Sequence, residues 1–336
     1  MKCTYITIAI LALAGILLPS VFEGDKSPEE LKPLYTDSTS GFVTIDGMHV
    51  HYRREGQGEP VVLLHGTSAS LHTWNGWIEA LSDTFTVIRM DLPGFGLTGP
   101  HPDGNYSVES YVGFLHTFLD SLAVRKFHLG GNSLGGEIAW RYAVEYPEQV
   151  HSLILIDAAG YPHHEEEPFV FSLAQTKILS GLIRYVDPEF LVKSSLEEVY
   201  GDDSKITESL IRRYTDLTLR KGNRDAFIRR VRYAGEKTPG KVGRISQPTL
   251  IMWGEFDAWI PVEDAYKFAT DIEHSTLKIY EGVGHVPMEE ISQATAKDAR
   301  SFLLEHQIVP GNDILGNGYA GKNLSGATTI FFEVFI

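Results

Sequence analysis

The sequence predicts an α/β protein with an eight-stranded, mostly parallel sheet flanked by helices and a helical insertion after the sixth strand. Short apolar runs alternate with helical patterns along most of the 336 residues. Such alternation is typical of parallel strands that are joined by helical crossovers. From 161 to 247 the alternation stops, and four helical patterns follow one another. A hydrophobic content of 43% is enough to build the core of a domain of this size.

The first 24 residues are set apart from the fold. No charged residue occurs between Cys3 and Phe22, Lys2 precedes this apolar run, and several acidic residues follow it. The pattern predicts a signal peptide or an uncleaved signal-anchor, with the acidic side crossing the membrane. We expect the segment to be retained, which gives a membrane-anchored protein whose folded part lies outside the cytoplasm. Cleavage would make the protein secreted or periplasmic. The polar residues 25–40 are expected to form a linker.

The predicted sheet begins with a hairpin. Residues 42–45 and 48–54 alternate between apolar and polar side chains around Asp46-Gly47, a two-residue turn signal. The six later strands are predicted at 61–64, 86–90, 127–130, 152–156, 248–253 and 276–280. These strands and their helices place the core in residues 41–160 and 248–306.

Two further segments lie outside this core. Helical patterns at 169–182, 188–200, 206–219 and 224–233 predict that residues 161–247 form a helical cap over the carboxyl edge of the sheet. Residues 307–336 are rich in glycine and end in an apolar run. An added edge strand, a membrane or partner contact, and disorder are all open interpretations of this tail.

Charge and cysteine content exclude several kinds of site. Asp and Glu number 44 against 29 Lys and Arg, a net charge of −15, and no basic cluster is available to bind the phosphates of a nucleic acid. Cys3 is the only cysteine, so the core holds no disulfide and no cysteine metal site.

His163, His164 and the three glutamates after them are adjacent and not spaced to converge on an ion. We expect neither a metal nor a cofactor, and leave the oligomeric state open.

The most informative motif is Gly131-Asn132-Ser133-Leu134-Gly135, which follows the fifth predicted strand and opens a helical pattern. A strand, a tight turn and a helix built around G-x-S-x-G form a nucleophile elbow, in which small neighbours let the backbone turn sharply and expose the serine hydroxyl. The positive end of the helix beside Ser133 stabilises an oxyanion. Ser133 is therefore the predicted nucleophile.

An acid and a base follow in the order Ser, Asp, His that this arrangement uses. Asp257 lies just after the predicted strand 248–253, and His285 lies just after 276–280. His285 would accept the proton of Ser133 and later give it to the leaving group, while Asp257 would hold the imidazole in the required tautomer. Asp157, at the end of the strand 152–156, is an alternative acid.

Backbone donors for an oxyanion are expected from two loops. The elbow supplies the N–H of Leu134, and the loop His65-Gly66-Thr67-Ser68 after the strand 61–64 supplies the other donor. We choose Thr67 as this second donor, with Ser68 as the alternative. His65 is interpreted as a structural residue that holds the loop. Residues 91–96 are expected to flank the same pocket.

Together these four ordered motifs resemble the α/β-hydrolase superfamily, over about residues 41–306. Bacterial lipases and esterases carry Gly-Asn-Ser-(Leu/Met)-Gly-Gly at the elbow and Val-Gly-His-Val-Pro-Met at the histidine, which correspond to 131–136 and 283–288 here. Membrane-anchored monoacylglycerol lipases are similar. The resemblance implies the α/β-hydrolase fold and small carboxylic esters, acylglycerols included, as substrates. We expect Ser68, Trp259 and Val286 to contact the substrate.

Two other functions fit the same motifs. A C–C bond hydrolase of vinylogous diketones shares the elbow, but the Pro-Gly that usually follows the first loop in that group is missing here. Met288, and not Trp, lies three residues after His285. A non-catalytic binding protein would normally have lost a triad residue, and this chain has all three. Epoxide hydrolases and haloalkane dehalogenases use an Asp nucleophile, where Ser133 stands here.

Overall fold

The computed structural model describes residues 24–162, 168–176, 188–233 and 239–308. The apolar N-terminal run, the cluster that begins at His163 and nearly all of the C-terminal tail lie outside the described residues. Within the described ranges, no helix has the length and apolar character needed to cross a membrane.

Eight strands form one sheet in the order β1-β2-β4-β3-β5-β6-β7-β8. They are β1 (Ser40–Ile45), β2 (Met48–Glu55), β3 (Glu59–Leu64), β4 (Phe85–Met90), β5 (Phe127–Asn132), β6 (Val150–Ile156), β7 (Thr249–Gly254) and β8 (Ser275–Tyr280). β2 runs antiparallel to β1 and to β4, and the other neighbouring pairs are parallel. The predicted eight-stranded, mostly parallel sheet is confirmed. Strand ends differ from the prediction by at most two residues, because backbone pairing continues past the last apolar side chain.

The predicted hairpin turn is also confirmed. Asp46 and Gly47 both have positive φ, 49° and 79°. A two-residue turn whose twist matches that of its strands requires this conformation at both positions.

Helices cover both faces of the sheet. The described ranges contain α1 (Pro28–Tyr35), α2 (Asn75–Leu81), α3 (Val108–Ser121), α4 (Leu134–Glu145), α5 (Phe169–Gln175), α6 (Pro188–Val199), α7 (Glu208–Thr218), α8 (Asn223–Arg232), α9 (Glu263–Asp271), α10 (Pro287–Glu290) and α11 (Ser292–Glu305). Val62 and Leu64 of β3 pack in a core with α3, α4 and α9, whereas Val61 and Leu63 pack in a second core with α2 and α11. Side chains that alternate along a strand produce these two layers.

Part of the predicted linker is helical. The side chain of Ser27 accepts a hydrogen bond from the backbone of Glu30, and the Glu30 carboxylate accepts one from the backbone of Ser27 at 2.7 Å. This capping box starts α1, and Leu31 is buried against Leu97 and Leu217. Residues 28–35 are therefore a helix packed on the fold, and the linker 25–40 stays a prediction.

The insertion between β6 and β7 contains α5 to α8, near the helical patterns of the sequence. Residues 177–187, which include the end of the first pattern, lie outside the described part. The boundaries 161–247 of a cap stay a prediction.

Candidate active site

The turn from β5 into α4 holds Ser133 in a conformation that few residues adopt. Its φ is 54° and its ψ is −115°, outside the backbone regions that residues other than glycine prefer. Gly131 and Gly135 make this turn possible. A Cβ on Gly131 would lie 2.2 Å from the Gly135 carbonyl oxygen, and one on Gly135 would lie 2.3 Å from the carbonyl oxygen of Leu64. The predicted strand–turn–helix is present, with Ser133 at its apex.

Asp257 and His285 are joined by a buried hydrogen bond. His285 Nδ1 lies 2.7 Å from Asp257 Oδ2, and Asp257 Oδ1 accepts from the backbone N–H groups of Trp259 and Ile260 at 2.8 and 2.9 Å. Because an ionised carboxylate only accepts, Nδ1 carries the proton and Nε2 is the basic nitrogen. No described residue bonds Nε2, which is buried. Ser133 and His285 line the same pocket.

Asn132 and Glu290 hold the histidine loop, and sequence reasoning missed both. Asn132 Nδ2 donates to the His285 carbonyl at 2.9 Å, which ties the loop directly to the elbow. The Glu290 carboxylate accepts from the backbone N–H groups of Gly284 at 2.9 Å and Gly201 at 3.0 Å, which ties the loop to the residues after α6. Asn132 lies within the elbow motif, so a signal was available there. Glu290 carried none.

The loop after β3 lies against the elbow. A Cβ on Gly66 would come within 2.9 Å of Asn132 Oδ1 and 3.2 Å of Ser133 Cβ. In the described residues, no acceptor is bonded to the backbone N–H groups of Thr67 and Leu134. These two predicted donors therefore remain available next to Ser133, as an oxyanion site requires.

His65 has the structural position expected for it. Its Nε2 accepts from the backbone N–H of Leu92 at 2.9 Å, so its Nδ1 is the donor to the Gly66 carbonyl at 2.7 Å. Burial lowers the pKa of His65, which keeps the ring neutral. The ring thus connects the loop after β3 to the loop after β4.

Asp91 organises the loop after β4. Its carboxylate accepts from the backbone N–H groups of Leu71 and Leu97, both at 2.8 Å, and pairs with His51 Nδ1 at 2.8 Å. Burial opposes ionisation of Asp91, but the charge interaction and hydrogen bond with His51, together with smaller contributions from His72 and His65, hold the pKa of the carboxyl well below its usual range. Phe95 of this loop lines the same pocket as Ser133.

The pocket is lined mainly by apolar side chains from the insertion. Val170 (α5), Leu191 and Leu196 (α6), Leu217 (α7) and Phe227 (α8) line it together with Thr67, Ser68, Trp259 and Val286. The Trp259 ring lies 5.3 Å from the His285 ring, and its indole N–H donates to Glu198 of α6 at 3.1 Å. Most of the predicted site residues therefore line one pocket, and the two exceptions are Leu134, whose backbone is the predicted contributor, and Asp257, which is bonded to His285.

Asp157 lies beside the pair of Asp257 and His285 without replacing Asp257. Its Oδ1 accepts from the backbone N–H of Gly254 at 2.9 Å. Burial, and next the Asp257 carboxylate, raise the pKa of Asp157 well above its usual range, which favours its protonated form. Among the described residues, these three side chains form the only group with ligand atoms close enough for a metal, within 4.8 Å of one another. A protonated Asp157 and a histidine nitrogen already bonded to Asp257 suit a cation poorly.

Comparison with known proteins identifies relatives of this arrangement. The family described as alpha/beta hydrolase fold matches residues 59–192. A 2-hydroxy-6-oxo-6-(2'-aminophenyl)hexa-2,4-dienoic acid hydrolase from Metapseudomonas resinovorans is 31% identical over 78% of this chain and 90% of its own length. A 2-hydroxy-6-oxononadienedioate/2-hydroxy-6-oxononatrienedioate hydrolase from Pseudomonas putida is 33% identical over 79% of this chain and 96% of its own. The crystal structure of a bacterial membrane phospholipase A superposes with a TM-score of 0.69 at 26% identity, covering 91% of this chain and 99% of that one.

Proposed function

The chain belongs to the α/β-hydrolase family, and we propose that it is a serine hydrolase of carboxylic esters with apolar acyl groups. One observation carries the proposal: Ser133 lines the same apolar pocket as His285, and His285 is hydrogen-bonded to Asp257. The same geometry provides a nucleophile, a base whose proton-accepting nitrogen is free in the described structure, and two backbone donors for an oxyanion.

In the proposed reaction, Ser133 Oγ attacks the ester carbonyl carbon and its proton passes to His285 Nε2. The backbone N–H groups of Thr67 and Leu134 bind the oxyanion that forms. His285 then protonates the departing alkoxide, leaving an acyl-enzyme on Ser133. Water, deprotonated by the same nitrogen, releases the acid. Asp257 keeps the proton on Nδ1 throughout and stabilises the imidazolium.

The lining of the pocket favours a neutral ester. In the described part of the chain, Arg224 is the only permanently charged side chain that lines the pocket, and it is paired with Asp25 at 2.7 Å. A substrate carboxylate would have to compete with Asp25 for this guanidinium, whereas an acyl chain needs only the apolar walls. The similarity to a structure described as a membrane phospholipase A supports an acyl ester as the substrate.

The second candidate is hydrolysis of a C–C bond next to a ketone in a dienoic acid. It is favoured by the two relatives above 30% identity, which are named as hydrolases of such acids. The same triad serves this reaction, and an acid group of the substrate could bind Arg224 in competition with Asp25. The names of these relatives therefore support C–C bond hydrolysis more than ester hydrolysis.

One experiment separates these candidates. Purified protein is assayed with p-nitrophenyl esters and with a 2-hydroxy-6-oxo-dienoic acid, alongside Ser133→Ala and His285→Ala. We expect kcat/KM to be higher for the esters and each variant to lose about 10⁴-fold of the activity. A preference for the dienoic acid would establish the second candidate. Unchanged ester hydrolysis by Ser133→Ala would overturn the proposed mechanism.

We further propose that residues 1–24 anchor the protein to a membrane, with the folded part outside the cytoplasm. Support comes from the uncharged apolar run with Lys2 before it, and from the description of the similar phospholipase as a membrane protein. Fractionation of the full chain in a bacterial host tests this: recovery only in the cytosolic fraction would contradict it.

A further inference from the structure

We propose that Asp157 and Asp257 share a single negative charge beneath His285, and that Asp157 acts as a positioning residue which takes over this charge when Asp257 cannot carry it. The inference rests on the proposed function, because it assigns His285 as the base.

Asp157 and Asp257 follow the neighbouring strands β6 and β7, which bring the two acids together. Ile156 and Met252 are register partners in the parallel pair β6 and β7, so the loops after these strands begin at the same height of the sheet. Ligand atoms of Asp157, Asp257 and His285 all lie within 4.8 Å of one another. Asp157 Oδ2 is buried and has no hydrogen-bond partner in the described structure. Its φ of 43° is a strained conformation for a residue with a side chain.

Solvation differs between the two acids in a way that decides which one is ionised. Asp257 accepts two backbone hydrogen bonds and one from His285, whereas Asp157 accepts one, from Gly254. Two unit charges this close in a buried site repel each other strongly, so only one acid ionises. The better-solvated Asp257 keeps the charge, and Asp157 stays protonated.

The other groups that face Asp157 reinforce this division. Glu290 adds a further negative charge that opposes ionisation of Asp157, and Lys205 lies 3.6 Å from Glu290 and offsets part of it. The Tyr280 phenol, whose pKa is raised by burial and then by Asp298, is neutral. The Asp257 carboxylate is therefore the charge whose repulsion of an ionised Asp157 can be removed by the substitution Asp257→Asn.

Removing the charge of Asp257 should accordingly ionise Asp157. In Asp257→Asn, the amide oxygen stays with the backbone N–H groups of Trp259 and Ile260, so the amide NH2 faces His285 Nδ1 and favours the imidazole tautomer with its proton on Nε2, which lowers activity. The repulsion that kept Asp157 protonated is gone. The new carboxylate then stabilises the imidazolium through space. Asp157→Asn keeps the acceptor for the Gly254 N–H and mimics the protonated acid, so it is the matched control.

The test measures kcat/KM with p-nitrophenyl butyrate from about pH 5 to about pH 9 for wild type, both single variants and the double variant. We expect Asp157→Asn to stay within about threefold of wild type, and Asp257→Asn to exceed the double variant by roughly tenfold or more at the alkaline end. The advantage of Asp257→Asn should grow with pH, as Asp157 ionises. Equal activity and equal pH profiles of Asp257→Asn and the double variant would overturn the proposal.

An infrared difference spectrum provides a readout that does not depend on activity. Wild type minus Asp157→Asn at neutral pH should contain a protonated-carboxyl band. The corresponding difference, Asp257→Asn minus the double variant, should contain a carboxylate band in its place. A protonated band in both spectra would overturn the transfer of charge even if the double variant were inactive. Ser133→Ala with full activity would instead refute the proposed function alone.

Discussion

At the scale of single residues, buried acids decide how this site is held. Asp91 is ionised because His51 and two backbone N–H groups bind its carboxylate, and it links the loops on either side of the pocket. Asp157 is equally buried but has one backbone donor and a charged neighbour, Asp257. The pKa of the same residue type is therefore shifted in opposite directions at two buried positions, as solvation by donors and neighbouring charges dictate.

The protonated state of Asp157 predicts how stability depends on pH. Its pKa is raised in the folded protein, so between about pH 4 and that raised pKa folding takes up a proton which the unfolded chain has lost. Relative to Asp157→Asn, wild type should lose about 1.4 kcal/mol of unfolding free energy per pH unit in this window. Below about pH 4 the unfolding free energies of the two proteins should depend on pH in the same way, because Asp157 is protonated in both the folded and the unfolded state. Urea unfolding of both proteins across this range measures it, and parallel pH curves would contradict the assignment.

At the scale of elements, α1 and the residues just before it bind the start of the described chain to the insertion. The backbone N–H of Lys26 donates to the Leu219 carbonyl at 2.7 Å, and that of Lys221 donates to the Lys26 carbonyl at 2.9 Å. The side chains of Lys26 and Tyr35 both bind the buried carboxylate of Asp216 in α7, each at 2.6 Å. Since α7 and α8 line the pocket, this contact connects the N-terminal segment to the substrate wall.

Asp216→Ala should loosen that wall. It removes the carboxylate that the Tyr35 hydroxyl and the Lys26 ammonium both bind, at a cost of about 1–3 kcal/mol. We expect faster amide exchange in α7 and α8 and a reduced kcat/KM for long-chain esters, with Ser133 still reactive toward a small acylating probe. Asp203→Ala, at an exposed position of the same insertion, is the control. Equal exchange in both variants would show that this contact does not support α7 and α8.

Elements with local signals could be predicted from the sequence, and contacts between distant segments could not. The strands, the turn at Asp46-Gly47 and the strand–turn–helix at Ser133 each depend on neighbouring residues, and all three are present. The capping box at Ser27 was also local, but the polar composition around it concealed a helix whose stability depends on packing against Leu217. The role of Glu290 depends on the residues after α6, which are distant in sequence and meet the histidine loop only in the fold, and no spacing pattern reveals it.

At the scale of the whole molecule, the pocket joins a polar floor on the sheet edge to apolar walls from the insertion. If these walls bind the acyl chain, each added methylene contributes about 0.8 kcal/mol until the pocket is full, or about fourfold in kcat/KM. We expect kcat/KM to rise with chain length among C2, C4, C8, C12 and C16 p-nitrophenyl esters, to an optimum at short to medium chains. All esters are assayed below their micellar concentrations. A flat profile would show that the insertion does not contact the acyl chain, and a rise through C16 would show a deeper site.

The N-terminal segment gives a final test of how the parts depend on one another. Deleting residues 1–23 removes the proposed anchor but keeps Asp25, Lys26 and α1, so the product should be soluble and as active as the full chain on a soluble ester. Deleting residues 1–36 also removes the pairs of Asp25 with Arg224 and of Lys26 with Asp216, and it uncovers Leu217. We expect this second variant to have a lower Tm by several degrees, since loss of even a few kcal/mol is a large share of the stability of a domain. Its kcat/KM should fall most for the longest ester that the pocket accepts, because residues of α7 and α8 are among the apolar walls of the pocket. Identical Tm values and ester profiles for the two truncations would show that α1 adds nothing to the pocket. Loss of activity in the shorter deletion would show that residues 1–23 contribute to the site itself.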